Sequence, residues 1–241
     1  MEQPKIAIIL PTLNEEEAIE KLIAEIPTQQ LQQEGYLVQI VIADNNSTDQ
    51  TRTIAELNKA TVIIEPRRGK GFAVEAGLKS VEADFIFILD ADYTYPPVHI
   101  IEMLKLLKDS HAVIGTRLKG RREKESIPLF NLIGNYILSF IATVVYQRRV
   151  SDVCTGYWGL RGEVVRNLSL KARGFELEVR LFGELTRRGY TIAELPINYR
   201  RRIGGHPKLR PIKDGIKIAR ILVAGRFNRL DDNCNIFHGD G

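Results

Sequence analysis

Phe85-Ile86-Phe87-Ile88-Leu89-Asp90-Ala91-Asp92 is an apolar run that empties directly into two carboxylates. Five consecutive apolar residues bounded by polar ones predict a buried strand. Residues i and i+2 of an extended segment point the same way. Asp90 and Asp92 therefore converge at the carboxyl end of a strand, where open α/β sheets place their ligands. Two hard oxygen donors suit Mg²⁺ or Mn²⁺ with positions left for phosphate oxygens. Taken alone, Asp-x-Asp also fits a solvated turn or a pair of helix caps.

The unit recurs on the amino-terminal side. Ile6–Leu10 is an apolar strand followed by Pro11-Thr12-Leu13-Asn14-Glu15, and Val38–Ala43 is another followed by Asp44-Asn45-Asn46-Ser47-Thr48-Asp49-Gln50. Thr12 with Glu15, and Ser47 with Gln50, have capping-box spacing, which predicts two helices starting there. A strand over Thr61–Glu65, a loop at Arg67-Arg68-Gly69-Lys70-Gly71 and a helix to about Val81 come next. The strand Asp84–Leu89, a helix over Pro97–Lys108 and a short strand Ala112–Thr116 complete this half. Such alternation predicts an α/β fold with a mostly parallel sheet flanked by helices.

The second half is less regular. Leu129–Tyr146 is 18 residues without a charge, yet Asn131, Asn135, Ser139 and Thr143 recur at every fourth position. That spacing holds the polar groups on one drifting stripe of a helix. Arg121, Arg122 and Lys124 precede the segment and Arg148 and Arg149 follow it. Residues 127–147 therefore predict an amphipathic helix or hairpin at a membrane interface, with a plain core helix or a true span as alternatives. A helix over Glu176–Arg188, a strand over Thr191–Tyr199 and a basic helix over Pro211–Ala224 follow.

With 241 residues and 44% hydrophobic content, the chain suits one large core. Residues 1–229 are expected to form a single catalytic domain and 230–241 a tail. Cys154 and Cys234 are the only cysteines, far apart in sequence; they make neither a disulfide framework nor a zinc pattern, which points to a reducing compartment. No secretory leader pattern precedes the first strand. The net charge of +4 is unevenly spread: residues 197–229 hold ten Lys or Arg against one Asp, a net of +9, while residues 1–196 sum to −2. A block this basic implies an anionic partner. Its aromatic residues are Tyr199 and Phe227, too sparse for base stacking, so nucleic acid is disfavoured.

Three strand ends thus carry polar groups: Pro11–Glu15, Asp44–Asp49 and Asp90–Asp92. Carboxylates there can read a base or a ribose. No Gly-x-Gly-x-x-Gly follows the first strand, and Gly69-Lys70-Gly71 lacks the remaining residues of a Walker phosphate loop. Pro-Thr-Leu-Asn-Glu, Ala-Asp-Asn-Asn-Ser-Thr-Asp-Gln-Thr, Gly-Lys-Gly and Asp-Ala-Asp, in this order, resemble the family 2 glycosyltransferases with a GT-A fold. Gly115-Thr116-Arg117, Asp152-Val153-Cys154-Thr155-Gly156-Tyr157, Gly174-Phe175-Glu176-Leu177-Glu178 and Arg202 through Lys208-Leu209 are similar to the dolichyl-phosphate mannose and glucose synthases among them. The resemblance covers about residues 4–225.

The resemblance implies transfer of a hexose from a UDP- or GDP-sugar to a dolichyl or polyprenyl phosphate, with inversion, by a peripheral enzyme on the cytoplasmic face of an anionic membrane. It implies a nucleotide site at Pro11, Thr12, Glu15, Asp44, Asp49, Lys70, Asp90, Ala91 and Asp92, with Mg²⁺ or Mn²⁺ on Asp90 and Asp92. Asp92 and Arg117 would be catalytic, and Arg117, Arg202 and Lys208 would hold the acceptor phosphate. In mannose synthases a Gln that can join the metal shell often follows Asp-Ala-Asp; here Tyr93-Thr94-Tyr95 stands there, which leaves Thr94 as a weaker ligand or none. A soluble relative using a small phosphorylated acceptor, such as a phosphoglycerate, is the enzyme alternative. A nucleic-acid or anionic-membrane binding protein is the alternative outside catalysis.

Overall fold

The first strand, β1 (Lys5–Thr12), turns Ile6, Ile8 and Leu10 into one apolar layer and Ala7 and Ile9 into another, as the two-residue period of an extended chain requires. The computed structural model describes residues 3–168, 170, 172–204 and 211–226. Strands β2 (Leu37–Asp44) and β4 (Phe85–Ile88) flank β1 in parallel, and β3 (Thr61–Ile64) lies outside β2. Beyond β4 comes β6 (Trp158–Arg161), antiparallel to both β4 and β5 (Ala112–Thr116), and β7 (Ile192–Pro196) closes the sheet parallel to β5. The order is β3-β2-β1-β4-β6-β5-β7, a mostly parallel sheet with one reversed strand.

Helices cover both faces. α1 (Glu16–Glu25), α2 (Thr28–Gln33), α3 (Thr51–Leu57) and α5 (Ile100–Leu106) bury apolar residues in one layer. The other layer takes α4 (Lys70–Lys79), α6 (Leu129–Tyr146), α7 (Gly162–Arg166), α8 (Leu177–Arg187) and α9 (Pro211–Arg226). Burial on both faces is why the central strands read as continuous apolar runs. Trp158 is buried, its indole N–H donating to the Thr155 carbonyl at 2.9 Å.

Neither expected capping box forms. Thr12 ends β1 and donates to Asp44 Oδ2 at 3.3 Å, while Glu15 makes no cap bond with its side chain. Ser47 Oγ donates to Asp44. Asp49 performs the capping instead: it accepts from the backbone N–H of Glu16 at 3.2 Å and of Thr51 at 3.0 Å, tying the starts of α1 and α3 together. Partners brought in by the sheet outcompeted the local ones that spacing alone suggests.

α6 is amphipathic in an inverted sense. Its polar stripe faces the domain: Ser139 is buried and accepts from the Val153 N–H at 3.1 Å, and Thr143 Oγ1 accepts from the Val150 N–H at 3.2 Å. Its apolar stripe faces outward, with Leu129, Phe130, Ile133, Tyr136, Ile137, Phe140 and Val144 each at least half exposed. α9 packs beside it and adds exposed Ile212, Ile216 and Val223. α6 is the one helix among the described residues long and apolar enough to cross a membrane by length and composition.

Candidate active site

Parallel register brings the strand ends together: Thr12 lies opposite Asp44 and Ile9 opposite Ile88, so the chain leaving β4 delivers Leu89-Asp90-Ala91-Asp92 beside the Pro11–Glu15 turn. Tyr93, directly after, has φ of +69°, a left-handed conformation uncommon for a bulky residue. It is held there by a hydrogen bond from its hydroxyl to Glu25 and by Arg200, whose guanidinium lies 4.7 Å from the ring centroid. Thr94 then folds back, its hydroxyl donating to Asp92 Oδ1 at 2.6 Å. The hydroxyl orients the Asp92 carboxylate.

Gly69-Lys70-Gly71 is a close crossing of two chains. A Cβ on Gly69 would overlap the Arg173 carbonyl, and one on Gly71 the Ala172 carbonyl. Gly69 also has φ of +137°, which favours glycine. The residue between them, Lys70, reaches Asp90 at 2.5 Å and Glu178 of α8 at 2.6 Å. Burial by itself would lower the Lys70 pKa, but the two carboxylates outweigh it and raise it. Gly156 is a third close approach: a Cβ there would overlap the Asp90 carboxylate. Its N–H donates to the Tyr95 hydroxyl at 2.8 Å.

Arg202 crosses from the segment after β7. Its Nη1 donates to Asp92 Oδ2 at 3.0 Å and its Nη2 pairs with Glu15. The sequence reading put Arg202 with the acceptor; in the structure its guanidinium rests on the two carboxylates of the expected donor side. Arg117 is engaged differently. It is buried, with Nε donating to Asp152 Oδ2 at 2.7 Å and Nη2 to Oδ1 at 2.6 Å. Burial would lower its pKa, and the fully buried Asp152 raises it well above the usual value. The Tyr199 ring lies 5.5 Å from the guanidinium.

One cavity of about 520 Å³ gathers Lys70, Asp90, Asp92, Arg117, Arg202 and Glu178 at a charged end. It continues into an apolar groove between α6 and α9, lined by Phe130, Ile137, Ile141, Ile212, Ile216 and Ala219. Ligand pockets of small molecules fall in the same range of roughly 300–1,000 Å³. Pro11, Thr12, Asp44, Asp49 and Ala91 do not line it. Asp44 is fully buried, accepts from Thr12 and Ser47 and forms an ion pair with Arg52 at 3.4 Å, so it holds the 44–47 turn from inside. Asp49 is occupied by its caps. Lys208 lies outside the described residues.

The charged end fits a divalent cation. Counted as ionised, with Arg117 balanced by Asp152, the carboxylates Asp90, Asp92 and Glu178, together with Glu15, which pairs with Arg202 but does not line the cavity, stand against two cations (Lys70, Arg202), a surplus of two negative charges. Burial first and the neighbouring Asp90 second raise the Asp92 pKa, and burial raises that of Glu178 against the lowering effect of Lys70. Among the described residues no three His, Cys, Asp or Glu side chains are grouped to hold a metal unaided. Asp90 and Asp92 are the pair that could hold it, with phosphate oxygens completing the shell. Sequence reading missed Glu178, Asp152 and Gly156 as parts of this site, although all three stood within the quoted motifs. Nothing in spacing shows that Glu178 and Asp90 share one lysine.

Comparison with known proteins follows this geometry. Over 236 residues the chain is 30% identical to glycosyltransferase AglJ of Haloferax volcanii, covering 97% of this chain and 74% of that protein. It is 32% identical over 220 residues to the dolichyl-phosphate hexose transferase of the same organism, covering 90% and 92%. The solved structure of glucosyl-3-phosphoglycerate synthase from Mycobacterium tuberculosis, in complex with Mn²⁺, UDP and glucosyl-3-phosphoglycerate, superposes with a TM-score of 0.69 at 21% identity, covering 94% of this chain and 80% of that one; the two share the GT-A fold. The family pattern for glycosyl transferase family 2 matches residues 7–169. This chain is a glycosyltransferase and belongs to glycosyl transferase family 2.

Proposed function

We propose that the chain transfers a hexose from a nucleotide diphosphate sugar to a polyprenyl phosphate, with inversion, while bound peripherally at the cytoplasmic face of a membrane. One observation carries this reading: a single cavity runs from the charged cluster at Asp90 and Asp92 into an apolar groove that reaches the exposed faces of α6 and α9. An amphiphile with an anionic head matches that polarity end for end. The name of the Haloferax volcanii hexose transferase supports the same acceptor class.

A phosphate monoester has a second pKa near ~6 and is already an anionic nucleophile at neutral pH. Its oxygen attacks the anomeric carbon, the bond from that carbon to the diphosphate breaks, and the electron pair leaves with the nucleoside diphosphate. No general base is required, so the chain's task is positioning. Lys70 places positive charge beside Asp90 and the leaving diphosphate; Arg202 and Arg117 line the approach of the acceptor phosphate. A divalent cation on Asp90 and Asp92 would neutralise charge on the departing diphosphate.

The test offers UDP- and GDP-hexoses with polyprenyl phosphate or 3-phosphoglycerate in parallel. A lipid-linked sugar is expected. Transfer to phosphoglycerate with none to the lipid would overturn the proposal in favour of a small phosphorylated acceptor.

A further inference from the structure

Two glycines sit in the middle of the apolar groove. Gly134 lies in the second turn of α6 and Gly215 in the second turn of α9, and both line the cavity. Glycine in a helix interior is unfavourable relative to alanine, because it loses more backbone freedom on folding. Such a position normally repays that cost by close packing, as Gly71, Gly77 and Gly183 do here, where a Cβ would overlap a neighbour. Gly134 and Gly215 do not: a Cβ on either would meet nothing within 4 Å. Neither has a positive φ. Backbone geometry and packing therefore give no reason for either glycine.

Their neighbours along each helix supply one. Phe130, Gly134, Ile137 and Ile141 follow the three-to-four-residue period of one helix face, and Ile212, Gly215, Ile216 and Ala219 that of the other. Both stripes face the same cavity. Each glycine leaves open a notch between large apolar side chains of the groove.

The geometry points to Gly134 and Gly215 as the residues that set the width of the acceptor channel and so select a branched isoprenoid chain. This rests on the polyprenyl phosphate reading and adds the specificity determinants to it. The occupant follows from continuity: a chain seated on the glycines is joined to a head at Arg117 and Arg202, which are cationic. A second copy of this protein would bring apolar side chains to the notch but no anion to the cations.

The experiment uses the full chain, vesicles containing polyprenyl phosphate, and four variants: G134A, G215A, G134L and G215L. Leucine should fill the notch, raising KM for polyprenyl phosphate about tenfold or more while the affinity for nucleoside diphosphate, measured by calorimetry, stays within about twofold. Alanine should raise Tm by about 1–4 °C, the reverse of a packing role, and still raise KM two- to threefold. If leucine variants fail to fold, the alanine variants decide by the same two readouts. Lipid-linked product from wild type together with an unchanged KM in G134A and G215A, or in either foldable leucine variant, would overturn the inference and leave the acceptor assignment standing. Wild type that makes no lipid-linked sugar would instead defeat the acceptor assignment and this inference with it.

Discussion

Replacing Arg117 by Ala removes one half of a buried pair. Asp152 has no exposed surface and takes two side-chain hydrogen bonds from the Arg117 guanidinium, besides the Arg117 backbone N–H at 3.0 Å. After the substitution only the backbone donor remains from Arg117, and a carboxylate is left in the interior. Breaking such a pair from one side costs about 3–5 kcal/mol. For a chain of this length, each 1 kcal/mol shifts Tm by about 2–4 °C, so R117A should lower Tm by about 6–20 °C. D152A should do the same from the other side. The double variant R117A/D152A should regain part of the loss, since neither charge is then stranded. Calorimetry on the four proteins without substrate measures this cycle, and acceptor KM on the same four separates the two roles of Arg117. If the guanidinium also meets the acceptor phosphate, the double variant recovers stability but not KM. A Tm for R117A within about 2 °C of wild type would refute the buried-pair reasoning and return Arg117 to the acceptor alone.

Three further outcomes are expected. D92A should cut sugar transfer at least a hundredfold with the circular dichroism spectrum unchanged, since Asp92 holds a loop; full activity of D92A, or of wild type in excess EDTA, would sink the metal assignment. F130D and F140D change residues that are 60% and 70% exposed, so stability should stay within about 0.5 kcal/mol while flotation with anionic liposomes falls; equal flotation would remove α6 from the membrane contact. Hydrogen bonds from the Arg67 side chain and backbone hold the Glu65 carboxyl at about 2, below its ordinary 4.5, so it adds stability above pH 4.5 that is lost as pH falls towards 2. E65Q should flatten the pH dependence of the urea midpoint in that window, and an unchanged slope would show that Glu65 contributes nothing there.

The parallel core was legible because its strands are buried on both faces and read as uninterrupted apolar runs. The expected Ala112–Thr116 strand matches β5 residue for residue, and the helix expected over 127–147 forms as α6, starting two residues later and ending one earlier. β6 was not legible: Trp158-Gly159-Leu160-Arg161 is four residues without alternation, and its strand identity comes from the two neighbours it joins. Asp90 and Asp92 were found because the period of a strand fixes their common direction. Lys70 was named for its motif, but its partner Glu178 lies 108 residues away, and only the fold makes them neighbours. The capping boxes failed in part for the same reason: Thr12 and Glu15 found partners across the strand ends, while Ser47 was taken by Asp44 three residues before it. The polar stripe of α6 was read correctly as a stripe, but helical spacing carries no sign, so it could not tell which face the domain would cover.

That sign decides how α6 can meet a membrane. By length and apolar content alone it could cross one, since 18 residues make about 27 Å of helix at 1.5 Å each. A single crossing would put the chain before it and the chain after it on opposite sides. Before α6, Arg122 bridges to Tyr199 and the Glu123 N–H donates to the Tyr199 carbonyl at 2.9 Å, just past β7. After α6, Ser151 bonds Glu194 of β7 through its N–H at 2.6 Å and Thr116 of β5 through its hydroxyl at 2.8 Å. Both ends are fastened at the same edge of the sheet, one just past β7 and the other on β7 and β5, so they share one side. The buried stripe tightens the constraint: Leu138, Ser139, Ala142 and Tyr146 pack into the domain, with the Tyr146 ring edge-on to Phe182 of α8 at 5.5 Å between centroids. Crossing would strip these contacts and the Ser139 hydrogen bond together. In the proposed membrane-bound state, a bilayer would meet the outward stripe, with the groove and its two glycines on the flank shared with α9.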